Sequence, residues 1–263
     1  KVSTFLLRNE LCVVPADKEG GFAVLPNDVY LQKAHDAVLS VFKRCPDVSL
    51  AKVKEKAILL CSQLDLKKLA LTIGKCQNLA LDMFFSCKTH KEDSPFRVII
   101  SEKGTWQKAL ASFIQQNLKL LKIDDPFLIR NSQEVISFIN QNPNEQLTAF
   151  SIDVKDLYYS LPSKELISCI EECIDEFGSV AFQNTTCISG GAFLDLVSFY
   201  LKSTYVEWNN EIFLQKNGVS IGSCIAPLLS DLCLAKLDRA LNARLNGSSV
   251  LKTFRFVDDY LVI

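Results

Sequence analysis

Two groups of acidic residues set into apolar, strand-like sequence constrain this chain more than any other feature. Asp153 lies in Phe150-Ser-Ile-Asp-Val-Lys-Asp-Leu-Tyr-Tyr-Ser-Leu-Pro162, and Asp258-Asp259 lie in Phe254-Arg-Phe-Val-Asp-Asp-Tyr-Leu-Val-Ile263. Side chains alternate along a strand, so Ser151, Asp153 and Lys155 share one face while Phe150, Ile152 and Val154 share the other. A carboxylate among apolar neighbours is costly to bury unpaired. Two adjacent carboxylates repel unless a cation or a proton intervenes. Hard carboxylate oxygens suit magnesium, and two such segments, remote in sequence but able to converge, are what two-metal phosphoryl transfer uses. The plain alternatives are a strand with its polar face in solvent at Asp153 and a solvated hairpin turn at Asp258-Asp259. Asn-Gly or Asp-Gly would be the stronger turn signal at the second site.

The bulk properties set the class. A chain of 263 residues buries a substantial core in one or two domains. Its 48% hydrophobic and 22% charged content is that of an ordinary globular protein. Every apolar run is too short for a membrane span, so no membrane partner is expected. The start, Lys1-Val-Ser-Thr-Phe5, has neither an initiator Met nor a signal-peptide pattern, which reads as an excerpt from a longer protein. Ten cysteines are scattered without Cys-x-x-Cys spacing, and only His35 and His90 could join them at a zinc site. They read as reduced thiols serving as small hydrophobes in an intracellular protein, nuclear or cytoplasmic. A net charge of −1 provides no general attraction for nucleic acid. Binding of that kind needs a local basic face, and Lys88, His90, Lys91, Arg97, Lys103 and Lys108 are the best candidate.

Periodicity and punctuation predict an α+β chain. A turn at Gly20-Gly21 leads into a strand at 22–25. Helical spacing covers 28–44 and 49–71, extended sequence 81–101, and further helices about 106–122, 132–140, 163–177 and 190–203. Residues 204–208 and 211–215 form a hairpin across Asn209-Asn210. A helix opens between Ser223 and Pro227, and the last segment is a hairpin with Asp258-Asp259 at its turn. A Rossmann glycine fingerprint and a Walker loop are absent.

Three of these stretches together resemble a known family. Residues 151–162 are similar to the first catalytic palm motif of reverse transcriptases. Gln215-Lys-Asn-Gly-Val-Ser-Ile-Gly-Ser-Cys-Ile-Ala-Pro227 resembles their glycine-containing motif before the palm helix, and Phe256-Val-Asp-Asp259 their aromatic-x-Asp-Asp motif. Upstream, Ala16-Asp-Lys-Glu-Gly-Gly21, Lys88-Thr-His-Lys91 and Arg97-Val-Ile-Ile-Ser101 resemble Penelope-like retroelement reverse transcriptases. Ala226 departs from the pattern, since relatives often carry Ser before the Pro.

The resemblance implies a right-hand polymerase fold with an antiparallel palm sheet packed on helices. Residues 1–80 are then an N-terminal helical region leading into the fingers, 81–146 the fingers, and 147–263 the palm with a helical insertion at about 163–203. The thumb would lie beyond the last residue, so this portion alone is expected to be inactive. The implied activity is RNA-directed DNA polymerisation with two magnesium ions, manganese being the alternative metal. An RNA template, a DNA or RNA primer and deoxynucleoside triphosphates are the implied partners, with no obligate protein partner. Asp153, Asp258 and Asp259 are the implied catalytic metal ligands, with the Val154 backbone carbonyl beside them. Arg97 and Lys88 would contact the triphosphate, Tyr158 would exclude a ribose 2′-hydroxyl, and Gln215, Gly218 and Gly222 would shape the template and nascent base-pair surface. For Arg97 a surface ion pair with Glu92 or Asp93, for Tyr158 core packing, and for the two glycines plain turn duty remain as structural readings. The competing functions are a non-catalytic nucleic-acid-binding remnant or domesticated scaffold, and a metal-dependent nuclease.

Overall fold

The computed structural model describes residues 1–143 and 146–263. α1 (Val2–Arg8) leads into a hairpin of β1 (Leu11–Pro15) and β2 (Phe22–Pro26), with the expected glycine-bearing turn between them. α2 (Asn27–Val41) runs directly into β3 (Phe42–Arg44). The sequence predicts one helical run over 49–71, but two helices form, α3 (Leu50–Gln63) and α4 (Lys67–Lys75). Asp65 breaks the run by adopting a left-handed conformation at φ 56°, which Asp tolerates better than most residues. The break lets α4 fold back, so that Ala57, Cys61, Ala70 and Ile73 are buried in a common core.

β4 (Asp82–Cys87) and β5 (Phe96–Ser101) form the next hairpin, followed by α5 (Trp106–Leu118) and α6 (Gln133–Gln141). Thr105 caps α5 by accepting from the Lys108 amide, the usual remedy for orphan donors at a helix start. After β6 (Phe150–Asp153) come the short α7 (Leu157–Ser160), then α8 (Ser163–Phe177), α9 (Ser179–Thr186) and α10 (Gly190–Leu201). β7 (Tyr205–Trp208) and β8 (Glu211–Gln215) turn at Asn209 and Asn210, whose φ values of 51° and 61° suit the hairpin's twist. α11 (Ala226–Leu245) precedes the closing hairpin of β9 (Thr253–Phe256) and β10 (Asp259–Val262).

All named strand pairs are antiparallel, in sheets ordered β1-β2, β4-β5, β3-β8-β7 and β6-β10-β9. One core gathers Trp106, Ile114, Leu166, Ile170, Phe193, Tyr200 and Leu229 from the helices. A second gathers Val14, Val38, Phe42, Phe85, Val98 and Phe213 from α2 and three sheets. Each such side chain, fully removed from water, stabilises by roughly 1.5–3 kcal/mol. Segments 1–80, 81–146 and 147–263 each contribute to both cores, and the first holds three strands beside its four helices. No helix among the described residues is long and apolar enough to cross a membrane.

Candidate active site

The site is built where β6 ends and β10 begins. Their register sets Asp153 directly opposite Asp259, and the Val154 amide donates to the Asp258 carbonyl at 3.0 Å. Like charges placed opposite each other across a strand pair are destabilising. Among the described residues no basic side chain forms an ion pair with Asp153, Asp258 or Asp259. The closing hairpin differs from expectation in its turn. Val257 and Asp258 make the turn, while Asp259 is already paired within β10. Val257 stands at φ 57°, a conformation that a β-branched residue seldom adopts and that costs about 1–3 kcal/mol. The turn therefore presents Asp258, and Asp259 sits on the same sheet face as Asp153.

A cleft of about 980 Å³ opens at this point. Asp153, Val154, Asp258 and Tyr158 line it together with Lys18, Lys88, His90, Lys91 and Arg97. Lys155, Lys216 and Asn217 add to its wall. Carboxylates and cations thus share one cleft, a combination suited to a polyanion held both through a metal and directly. Tyr158 is half-buried; burial raises its phenol above the ordinary value, with Asp231 and Asp258 acting in the same direction.

Arg97 and Lys88 arrive with partners. Arg97 Nη1 lies 2.9 Å from both carboxylate oxygens of Asp17, with its hydrogen bond directed to Oδ1. Ser86 also donates to that Oδ1. The Asp17 side chain is nearly inaccessible at 5% exposure, so it anchors an arginine whose own side chain stays 35% exposed to the cleft. Lys88 Nζ lies 3.7 Å from Asp156 Oδ1. Glu92 and Asp93, the surface partners suggested by sequence proximity, form no ion pair with Arg97.

Four expected site residues lie outside the cleft lining. Asp259 is one. Gln215 is buried and turns back on its own loop, donating to the Asn217 carbonyl and accepting from Ser220. Gly218, at φ 72°, packs so tightly that a Cβ would come 2.0 Å from the Tyr158 carbonyl oxygen. Gly222, at φ 102°, would place a Cβ 2.1 Å from the Ile100 carbonyl oxygen. The close approach made by both glycines is to protein backbone. It joins the 216–225 loop to α7 through Val219 N–Tyr158 O, 2.8 Å, and to β5 through Ile100 N–Ile221 O, 2.8 Å.

Asp17, Lys155, Lys216 and Arg255 were not singled out by sequence reasoning as site residues. A signal existed for Arg255, a lone cation in Phe254-Arg-Phe-Val257. It is fully buried, against Asp125, Asp231 and Asp238.

These features have a family. The chain belongs to the reverse transcriptase (RNA-dependent DNA polymerase) family, which it matches over residues 89–263. Its fold is similar to that of apo telomerase from Candida tropicalis truncated from its C-terminal domain, with a TM-score of 0.64 and 13% identity over 98% of this chain and 53% of that one. The apo telomerase from Candida tropicalis gives 0.63 and 12%, over 98% and 47%. Telomerase from Candida albicans in complex with a TWJ fragment of telomeric RNA gives 0.58 and 12%, over 99% and 46%. The chain spans about half the length of these proteins. No curated protein matches it in sequence.

Proposed function

We propose that this chain is the fingers and palm of an RNA-directed DNA polymerase that adds deoxynucleotides to a primer 3′-hydroxyl on an RNA template. One observation carries the reading. Asp153 and Asp258, remote in sequence, line one cleft and are tied together by the Val154–Asp258 hydrogen bond and the Asp153–Asp259 register. A binding module has no need of unpaired carboxylates so placed, since they repel the phosphates it would hold.

The donor set fits divalent magnesium of a particular kind. Among the described residues no group of three or more His, Cys, Asp or Glu side chains is gathered tightly enough to hold an ion alone. Magnesium is commonly held by one or two carboxylates, with waters and substrate phosphates completing its shell. Asp153 and Asp258 supply the carboxylates, the Val154 carbonyl a backbone oxygen, and Asp259 added negative potential. Bound there, two divalent cations, magnesium or manganese, supply activation of the 3′-hydroxyl and neutralisation of the leaving pyrophosphate.

The remaining work belongs to the protein. Arg97, oriented by Asp17, offers its planar fork to phosphate oxygens, and Lys88 adds a point charge. Tyr158 lines the cleft with the acids, and in this reading its ring is the steric gate against a ribose 2′-hydroxyl. Gln215, Gly218 and Gly222 hold the loop that shapes the template and base-pair surface.

A Penelope-like retroelement origin rests on the three upstream motifs, and residence inside the cell, nuclear or cytoplasmic, on the ten scattered cysteines read as reduced thiols. These motifs meet in space: Asp17 N donates to the Cys87 carbonyl at 2.9 Å, beside Lys88, and Asp17 also holds Arg97. The test is extension of a labelled primer on an RNA template with magnesium, the chain being joined to a thumb domain at its carboxyl end. Extension is expected, and Asp153→Asn or Asp258→Asn should each reduce it by roughly 10²-fold or more. Retention of the duplex without extension would favour a non-catalytic binding scaffold, and primer shortening a nuclease.

A further inference from the structure

We propose that Arg255 is a positioning residue that sets the Val257–Asp258 turn, and through it the placement of the Asp258 carboxylate. This rests on the reading of Asp258 as a metal ligand. Arg255 lies in β9 with no exposure to solvent. Its guanidinium reaches three ways, to Asp238 Oδ2 through Nε at 2.6 Å, to Asp125 Oδ2 through Nη2, and to Asp231 Oδ1 through Nη1 at 3.5 Å. Nη1 also donates to the Val257 carbonyl at 2.9 Å. This contact alone leaves the carboxylate cluster, and it ends on the residue with the costly positive φ.

Two of the carboxylates are themselves held fast. Asp125 Oδ1 accepts from the Phe127 and Leu128 amides at 2.9 and 3.0 Å. Asp238 Oδ1 accepts from the Tyr260 hydroxyl at 2.7 Å. The backbone of Arg255 is pinned as well, donating to the Phe127 carbonyl and accepting from the Ile129 amide. The guanidinium therefore has little freedom to rotate, and the Nη1 group that meets the Val257 carbonyl is aimed from a rigid mount. Holding β9 against α11 does not require such a cluster, because well-packed apolar residues often replace buried ion networks without loss of stability. Reaching three carboxylates and a carbonyl at once does require a fork. A lysine keeps the charge among the aspartates yet lacks the planar geometry to reach them and the carbonyl together.

The experiment uses the 263-residue chain as wild type, Arg255→Lys and Asp258→Asn. Hydrogen exchange at the Val154 amide, which bonds the Asp258 carbonyl, reports the turn. Electron paramagnetic resonance of free Mn2+ reports metal affinity. Arg255→Lys is expected to speed Val154 exchange roughly tenfold while α5 and α8 stay protected, and to weaken Mn2+ binding by about tenfold. Asp258→Asn should weaken Mn2+ binding and leave Val154 exchange slow. Unchanged Val154 exchange in Arg255→Lys, or a rise shared by every amide, overturns the proposal. If Arg255→Lys does not fold, Asp125→Asn removes one arm of the mount and carries the same expectations. A wild type that binds no Mn2+ removes the metal reading of Asp258, and the exchange result then decides Arg255 independently.

Discussion

Gly218 illustrates how little room the site leaves at the level of one residue. Its φ of 72° excludes most side chains, and the Tyr158 carbonyl occupies the place a Cβ would take. Relief would have to come from the α7 backbone, which carries the Tyr158 ring into the cleft. Gly218→Ala is therefore expected to destabilise the fold by about 2–4 kcal/mol. A urea unfolding midpoint that falls at unchanged slope is the check. Val257 shows the opposite solution. There the side chain stays and the strained backbone is held by a hydrogen bond from a buried guanidinium. Burial also governs the cysteines: Cys61, enclosed between α3 and its neighbours, has its thiol pushed up to about 11.

Elements here are joined by buried polar contacts as much as by apolar ones. Glu102, just beyond β5, accepts from the Tyr200 hydroxyl of α10, from Ser223 and from the Cys224 amide ahead of α11, with Lys108 Nζ 3.8 Å away. One carboxylate thus locks the end of the glycine-bearing loop to two helices and a strand. Removing it leaves several buried donors without acceptors, each costing about 1–3 kcal/mol. Glu102→Ala should lose roughly 3 kcal/mol or more in denaturant unfolding. Within α11 the same logic applies, since Asp238 is fully buried and serves both Arg255 and Tyr260.

The whole molecule carries its charge unevenly. Its net charge is only −1, yet cationic side chains from several segments face the cleft. Duplex binding should accordingly depend on salt, and Lys18→Ala or Lys155→Ala should each lower the slope of log affinity against log salt by about one. Filter binding across a salt series measures this. Alkali provides a second global test. Burial raises the phenols of Tyr159, Tyr200 and Tyr260 above their ordinary value of 10.0. The folded state then retains protons that the unfolded chain releases, so this contribution is complete below pH 10 and declines as pH rises beyond it. Melting temperatures should fall as pH passes about 10, and a melting temperature level up to pH 11.5 would contradict the burial of these rings.

Local chemistry written into the chain determined a good part of this. The hairpin at Asn209-Asn210, the apolar stripe of α8 and the acids beside strand-like residues are all patterns among near neighbours. Periodicity and turn preference act over the same short range, which is why they were legible. The pairing of β3 with β8, the split at Asp65, the seating of Arg97 on Asp17 and the three aspartates around Arg255 were not. Each joins residues whose local sequence is indifferent to the partner. Tertiary packing chose among them, because a buried charge or an open strand edge is stabilised only by whichever group the rest of the fold brings within reach.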